Sequence, residues 1–368
     1  MGKSDELLMQ QNSTAELQPK DAMYIFGPCS AESRDQVLST ARGIAQHFPG
    51  ALFRSGIWKP RSRPGAFEGI GEAGLTWLNE VKTETGLEPI TEVATPAHVE
   101  AILRHNIKYV WIGARTSVNP FSVQELSDSL RGTGITAFVK NPVNPDLALW
   151  IGAIERLMGA GLKDVHAIHR GFYAHESAPF RNAPRWELVI DLKTALPDLK
   201  VICDASHISG NPKLIADVAQ KSVDLDFQGL MIETHINPQA ALSDAFQQVT
   251  PDRLFEIICS LKFRSASSSD HQAIDKLTEL RNRVDATDDA IIQALLSRMS
   301  LIRQIGLHKL KNEMTIFQLQ RWEEILQRTS LAAEASGLSA EFVKCLWEVI
   351  HNESIRIQHD LFNISESS

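Results

Sequence analysis

The sequence predicts an α/β protein of two parts, a (β/α)8 TIM barrel followed by an all-helical domain. Three observations carry this reading. From residue 21 to about 264, short β-rich runs alternate eight times with longer helical stretches, each run closing on a polar or glycine-rich turn. The segment "KFRSASSSDH" at 262–271 then interrupts the alternation with a serine-rich break. Beyond it no strand-like run recurs, and apolar residues keep helical spacing almost without interruption. The length of 368 residues suits about two domains. We therefore expect a flexible tail over 1–20, the barrel over 21–264, a linker over 265–270 and the helical domain over 271–368.

The eight runs are, in order, "MYIFG", "ALFRSGIW", "PITEVA", "YVWIGA", "TAFVK", "VHAIH", "KVICD" and "GLMIE". Between them lie helix-like stretches such as "RDQVLSTARGIAQHF" and "PDLALWIGAIERLMG". In such a barrel the reactive groups gather at the C-terminal ends of the strands. In the second part, Ile274, Leu277, Val284, Ile291, Leu295, Ile302 and Ile305 recur at spacings that return to one helix face, giving a first helix of about 40 residues. Two shorter helices are expected near 316–335 and 339–361. "SGLS" parts them, with Gly337 as a C-terminal stop and Ser339 as an N-cap.

Charge and cysteine usage exclude several function classes. The formal net charge is −8, with 37 Lys+Arg against 45 Asp+Glu, so no global positive field draws nucleic acid or an acidic membrane. An anionic substrate must be held by locally clustered bases. Four scattered cysteines without a CxxC pair, and a polar N-terminus without an apolar stretch, point to a reducing cytoplasm. The start "MGKSDE" has glutamate where a myristoylation signal needs Ser or Thr.

The residues just past each run are Cys29, Arg54 with Lys59 and Arg61, Glu92, Arg115, Lys140, Arg170, His207 and Glu233. Cysteine, histidine and carboxylate drawn from different strands make a mixed donor set suited to a divalent transition metal, and Asp244 in "ALSDAFQQ" could add a fourth donor. Spacing alone does not establish this, because a lone strand-end cysteine is more often a small buried hydrophobe. A lone histidine is more often a hydrogen-bonded bystander, a description that also fits His166, His169, His175 and His235. The bases are harder to explain away. Arg115, Lys140 and Arg170 each end a strand, where a buried charge needs an anionic partner, and phosphate is the natural one.

Taken together, "GPCSAES", "KPRSRPGAFEG", "TEVATP", "IGART", "VKNP", "HRGF", "DASH" and "GLMIETH" followed by "ALSDAFQQ" resemble, in their order, the 3-deoxy-D-arabino-heptulosonate-7-phosphate (DAHP) synthase family over about residues 21–260. The resemblance implies condensation of phosphoenolpyruvate with erythrose 4-phosphate, the first step of the shikimate pathway. It makes Cys29, His207, Glu233 and Asp244 ligands of a divalent ion, Mn2+ first, though the donor set also accepts Fe2+, Co2+ or Zn2+. It assigns phosphoenolpyruvate to Arg54, Lys59, Arg115, Lys140 and Arg170, and erythrose 4-phosphate to Lys59, Arg61 and Ser62. Lys59 and Glu92 are the candidates for moving protons. The relative that uses arabinose 5-phosphate carries an asparagine-containing motif in place of "KPRS", which favours the four-carbon sugar here. Ala205 departs from the family's more usual proline before Ser206 and His207.

The stretch "LRNRVDATDDAIIQALLSRMSLIRQIGLHKLK", with "QRWEEIL" and "NESIRIQ", resembles the all-helical chorismate mutases over 270–361. By that resemblance Arg281 and Arg298 grip the two carboxylates of chorismate with Arg321 in support, Ser354 belongs to the site, and Lys309 and Gln358 donate to the ether oxygen. Gln318 and Trp322 stand where well-known members carry Asp and Glu near the substrate's hydroxyl. Arg281 and Lys309 are 28 residues apart, about 42 Å along one helix, so one chorismate cannot touch both. A homodimer through intertwined helical domains, or a higher oligomer built on it, is the expectation. Three readings stay open: a bifunctional enzyme with prephenate as feedback effector, a synthase with an inert chorismate- or prephenate-sensing dimerisation domain, and a related synthase of another sugar acid.

Overall fold

The computed structural model describes residues 22–59, 67–175, 177–264 and 270–366, with side chains to 363. Arg61 and Ser62, residues 1–20 and most of 265–270 lie outside the described residues. The chain divides into two compact units, Met1–Ala266 and Ser267–Ser368.

In the first unit eight parallel strands close into a barrel in sequence order, β8 pairing back onto β1. They are β1 (Met23–Gly27), β2 (Leu52–Arg54), β3 (Glu88–Val93), β4 (Tyr109–Ile112), β5 (Thr136–Lys140), β6 (Val165–His169), β7 (Val201–Asp204) and β8 (Gly229–Glu233). The helices are α1 (Arg34–Ala45), α2 (Ala73–Thr85), α3 (Pro96–Arg104), α4 (Pro120–Leu130), α5 (Leu147–Gly159), α6 (Trp186–Ala195), the short α7 (Ala205–Ser209), α8 (Ile215–Asp224) and α9 (Pro251–Ser260). Local chemistry starts several of them. Thr95, Asn119 and Thr250 each accept a backbone N–H of the first turn through the side chain, and each is followed by a proline whose missing N–H would have had no partner there.

Alternation along the strands makes two cores. Ile25, Ile90, Trp111, Phe138, Ile168, Ile202 and Met231, one each from seven strands, fill the interior. The opposite faces, such as Phe26, Phe53, Val110 and Val201, pack under the helices. β2 stops at Arg54, short of the run "ALFRSGIW", because the chain leaves the sheet there: only an isolated bridge from Gly56 to Ser30 follows.

The second unit is three helices, α10 (His271–Lys311), α11 (Leu319–Ser336) and α12 (Ala340–Glu366). α10 runs 41 residues. Gly337 takes the left-handed conformation (φ 72°) that ends α11, and the Ser339 hydroxyl accepts the N–H of Phe342. α11 begins at Leu319, later than the apolar spacing suggested, because Gln318 is still extended (φ −131°, ψ 105°), and the Ile316 carbonyl just before it accepts from the Lys309 ammonium at 2.6 Å.

Candidate active sites

At the C-terminal end of the barrel a cavity of about 430 Å³ is lined by Cys29, Lys59, Glu92, Arg115, Lys140 and Arg170, with Arg181, Asn182, His207 and Asp244 completing the polar wall. Gly27 turns β1 toward it. With φ at 144°, and the Arg54 carbonyl 2.1 Å from where a Cβ would sit, no other residue fits. The next turn delivers Cys29, whose N–H donates to Gln248 Oε1 at 3.0 Å, tying β1 to the segment that carries Asp244.

Cys29 Sγ and carboxylate oxygens of Glu233 and Asp244 lie within 4.8 Å of one another. Glu233 is fully buried, with Gln247 donating to Oε2 at 2.6 Å while Oε1 lies 3.0 Å from the Arg54 guanidinium. Burial pushes the Cys29 thiol up to about 11, with Glu233 adding to the effect. Burial likewise opposes the Asp244 carboxylate, but His207, Arg181 and Lys59 overcome it and hold Asp244 at about 2. His207 stands beside this trio. Its Nδ1 faces Asp204 at 2.9 Å, and its Nε2 is turned to Glu233 Oε1 at 3.8 Å. An imidazole whose second nitrogen is held by a carboxylate is the usual arrangement of a metal-ligating histidine. A soft thiol, two carboxylates and a neighbouring imidazole braced by Asp204 therefore fit a divalent cation.

The bases divide into two groups. Arg54 does not line the cavity: it is fully buried, 3.0 Å from Glu233 Oε1, with its guanidinium 5.1 Å from the Trp111 ring centroid. Lys140, Arg170, Arg115 and Lys59 do reach the cavity. Lys140 lies 2.8 Å from Asp204 and 5.6 Å from the Trp111 ring. Burial lowers the Lys140 ammonium, and Asp204 offsets this only in part. Arg170 is brought down to about 10 by burial, and donates to Asn182 Oδ1 at 2.9 Å. Lys59 Nζ stands 3.3 Å from Cys29 Sγ. Glu92 accepts from the Trp111 indole at 3.0 Å, and a Cβ at Gly113 would meet its Oε1 at 2.2 Å, so glycine there leaves room for the carboxylate.

In the helical unit a cavity of about 570 Å³ is lined by Arg298, Lys309, Arg321, Ser354 and Gln358 from all three helices, with Gln318 and Trp322 on the wall. Arg298 donates to Ser354 Oγ at 2.6 Å, and that hydroxyl donates to the Ile350 carbonyl at 2.7 Å. Burial lowers both the Arg298 guanidinium and the Lys309 ammonium. Arg281 is exposed on α10 and is not among the lining residues.

Sequence reasoning missed Arg181, Asn182, Arg328 and His351, and left Asp204 and Trp111 without a role. Arg328 was findable, seven residues after Arg321 and so on the same face of α11. Asp204 stood in the quoted "DASH". Arg181 lies in an irregular segment with no periodicity to betray it.

A family model described as the DAHP synthetase I family matches residues 11–267, and one described as chorismate mutase type II matches 280–359. This chain belongs to the DAHP synthetase I family. It carries a type II chorismate mutase domain behind the synthase, and is thus a bifunctional enzyme of the shikimate pathway. The phospho-2-dehydro-3-deoxyheptonate aldolase of Thermotoga maritima is 25% identical over 238 residues, covering 65% of this chain and 68% of that protein. A 2-dehydro-3-deoxyphosphooctonate aldolase of Legionella pneumophila is 27% identical over 280 residues, covering 66% and 91%. A crystal structure of the Thermotoga DAHP synthase superposes on the synthase barrel with a TM-score of 0.57 at 23% identity, covering 70% of this chain and 69% of that one, which establishes the shared fold. Among the described residues no helix is long and apolar enough to cross a membrane.

Proposed function

We propose that the barrel joins phosphoenolpyruvate to erythrose 4-phosphate in a metal-dependent condensation, that the helical cavity rearranges chorismate to prephenate, and that prephenate held there restrains the condensation. The observation that carries the first part is the convergence of Cys29, Glu233 and Asp244 within 4.8 Å at the edge of a cavity walled with bases. These three, with His207, would hold a divalent ion, which would supply Lewis acidity toward the sugar's aldehyde oxygen.

The chain's own residues do the rest. Arg115, Lys140 and Arg170 hold the phosphate of phosphoenolpyruvate and fix its enol carbon within reach of the aldehyde. Lys59 delivers a proton to the aldehyde oxygen as the carbon–carbon bond forms. Water adds to C2, which has lost its π electrons, and Glu92 takes the water's proton. The resulting hemiketal phosphate breaks its C2–O bond to phosphate, the hydroxyl proton leaving with the departing inorganic phosphate, and the 2-keto sugar acid remains. Erythrose 4-phosphate is preferred over arabinose 5-phosphate because the "KPRS" run, with Arg61 and Ser62, is the four-carbon family's.

In the helical unit no nucleophile is needed. Arg298 and Arg321 with a partner subunit's Arg281 would fold chorismate into its reactive conformer, while Lys309 and Gln358 stabilise charge on the ether oxygen as its bond lengthens. The exposed Ile274, Leu280, Val284 and Ile291 on α10 give this homodimer its apolar seam.

The test is Cys29→Ser beside Cys259→Ser. We expect Cys29→Ser to lose metal and lower condensation roughly 100-fold or more, while mutase turnover holds and Cys259→Ser stays near parental. Parental condensation by Cys29→Ser would overturn the ligand assignment.

A further inference from the structure

Chorismate brings three kinds of polar group to a site: two carboxylates, an ether oxygen and a ring hydroxyl. The first two need donors. The helical cavity supplies Arg298, Lys309, Arg321 and Arg328, and among the described residues no aspartate or glutamate lines it. A hydroxyl buried among such donors still has a proton to give, and leaving it without an acceptor costs about 1–3 kcal/mol.

Few lining groups can accept it. Ser354 Oγ is engaged with Arg298 and with the Ile350 carbonyl. The indoles of Trp322 and Trp347 only donate. Gln318 is exposed rather than buried in the cavity wall. Among the described residues two buried atoms without a hydrogen-bond partner remain that can accept, Gln358 Oε1 and, in the tautomer protonated at Nδ1, His351 Nε2. They stand seven residues apart on α12, about 10 Å along one face, and so address different parts of a bound ring. Gln358 is fixed by the donation of its Nε2 to the Ser354 carbonyl at 3.1 Å. His351 lies flat on Trp322, ring centroids 4.0 Å apart and planes 23° from parallel, with Phe317 edge-on to it. Trp322 occupies one of the two positions that face the hydroxyl in the resembling mutases, so the imidazole stands at that end.

We propose that His351 reads the ring hydroxyl of chorismate, accepting its proton at Nε2 in place of the carboxylates that Gln318 and Trp322 displace. The inference rests on the mutase reading of this cavity. The surroundings keep the acceptor lone pair available: burial lowers the imidazole, and Arg298 and Lys309 further oppose its protonation.

The test uses the full-length protein with chorismate and with its analogue lacking the ring hydroxyl. We expect His351→Leu to lower kcat/KM for chorismate roughly ten-fold and to leave the analogue within about two-fold, with His351→Gln recovering most of the loss. An equal fall for both ligands would reduce His351 to a packing residue, and no fall for either would remove it from the site; both outcomes overturn the proposal. If Gln358→Leu rather than His351→Leu erases the discrimination, the acceptor is Gln358 and the proposal is again wrong. A parent enzyme that binds chorismate without turning it over would end the mutase reading instead, and the same comparison made on Kd then decides His351.

Discussion

His169 closes β6 with its ring turned away from the barrel interior, fully buried among Trp150, Phe172, Trp186 and Phe227. Burial drives its imidazole down to about 3, and the Pro184 carbonyl opposes this only in part. In the unfolded chain the same group titrates near 6.5, so between those values the unfolded state takes up a proton that the folded state refuses. Its contribution to stability is thus present above about pH 6.5 and is lost as pH falls toward 3. Urea unfolding of the barrel at pH 7 and pH 5 should therefore show a pH slope in the parent that is steeper than in His169→Phe, by up to about 1.4 kcal/mol per pH unit. Identical slopes would show that His169 takes up its proton as readily in the folded state as in the unfolded chain. As a sequence residue it could not be told from a bystander, because the aromatic cage is assembled from segments up to 77 positions apart and only folding brings them together.

At the level of elements, the proposed mutase chemistry divides along α10 itself, between binding and rate. Arg298 sits in the C-terminal half of α10 and is braced by Ser354, whereas Lys309 is in the last turn and buried. Arg298→Ala is expected mainly to raise KM for chorismate, and Lys309→Ala mainly to lower kcat, by roughly 100-fold. Steady-state kinetics on both variants check this, and unchanged constants in both would move the site elsewhere. The strands "MYIFG", "TAFVK", "VHAIH" and "GLMIE" were legible to the residue, since period-two apolar runs bounded by turns have few other uses. The ends of the barrel were less so. Cys29, Lys140, Arg170, His207 and Glu233 were visible as strand-end residues, but that Arg54 would be fully buried against Glu233 rather than line the cavity depends on a long-range pairing that apolar patterning does not encode. Arg181 and Asn182 were hidden for a related reason: they reach the site from irregular chain held by hydrogen bonds to Ile208 and His207.

For the whole molecule the question is why a condensation and a rearrangement several steps later share one chain. Direct transfer of product is implausible across several intervening steps, whereas restraint of the first step by the product of the later one requires only a pocket and two states of differing affinity. We expect prephenate to inhibit condensation, Arg298→Ala to relieve the inhibition, and a chain lacking 265–368 to be uninhibited or weakened; equal inhibition of the shortened chain would place the effector site in the barrel. A different consequence follows from the 41-residue α10, on which Val284, Ile291 and Leu296 are each more than half exposed. If a second copy covers that seam and lends its Arg281, every mutase site is a bimolecular object, whose abundance obeys mass action rather than the number of chains present. Mutase turnover per chain should then fall as the enzyme is serially diluted and recover on concentration, so that the cell's stock of this protein sets not only how much prephenate can be made but what fraction of the chains can make it at all.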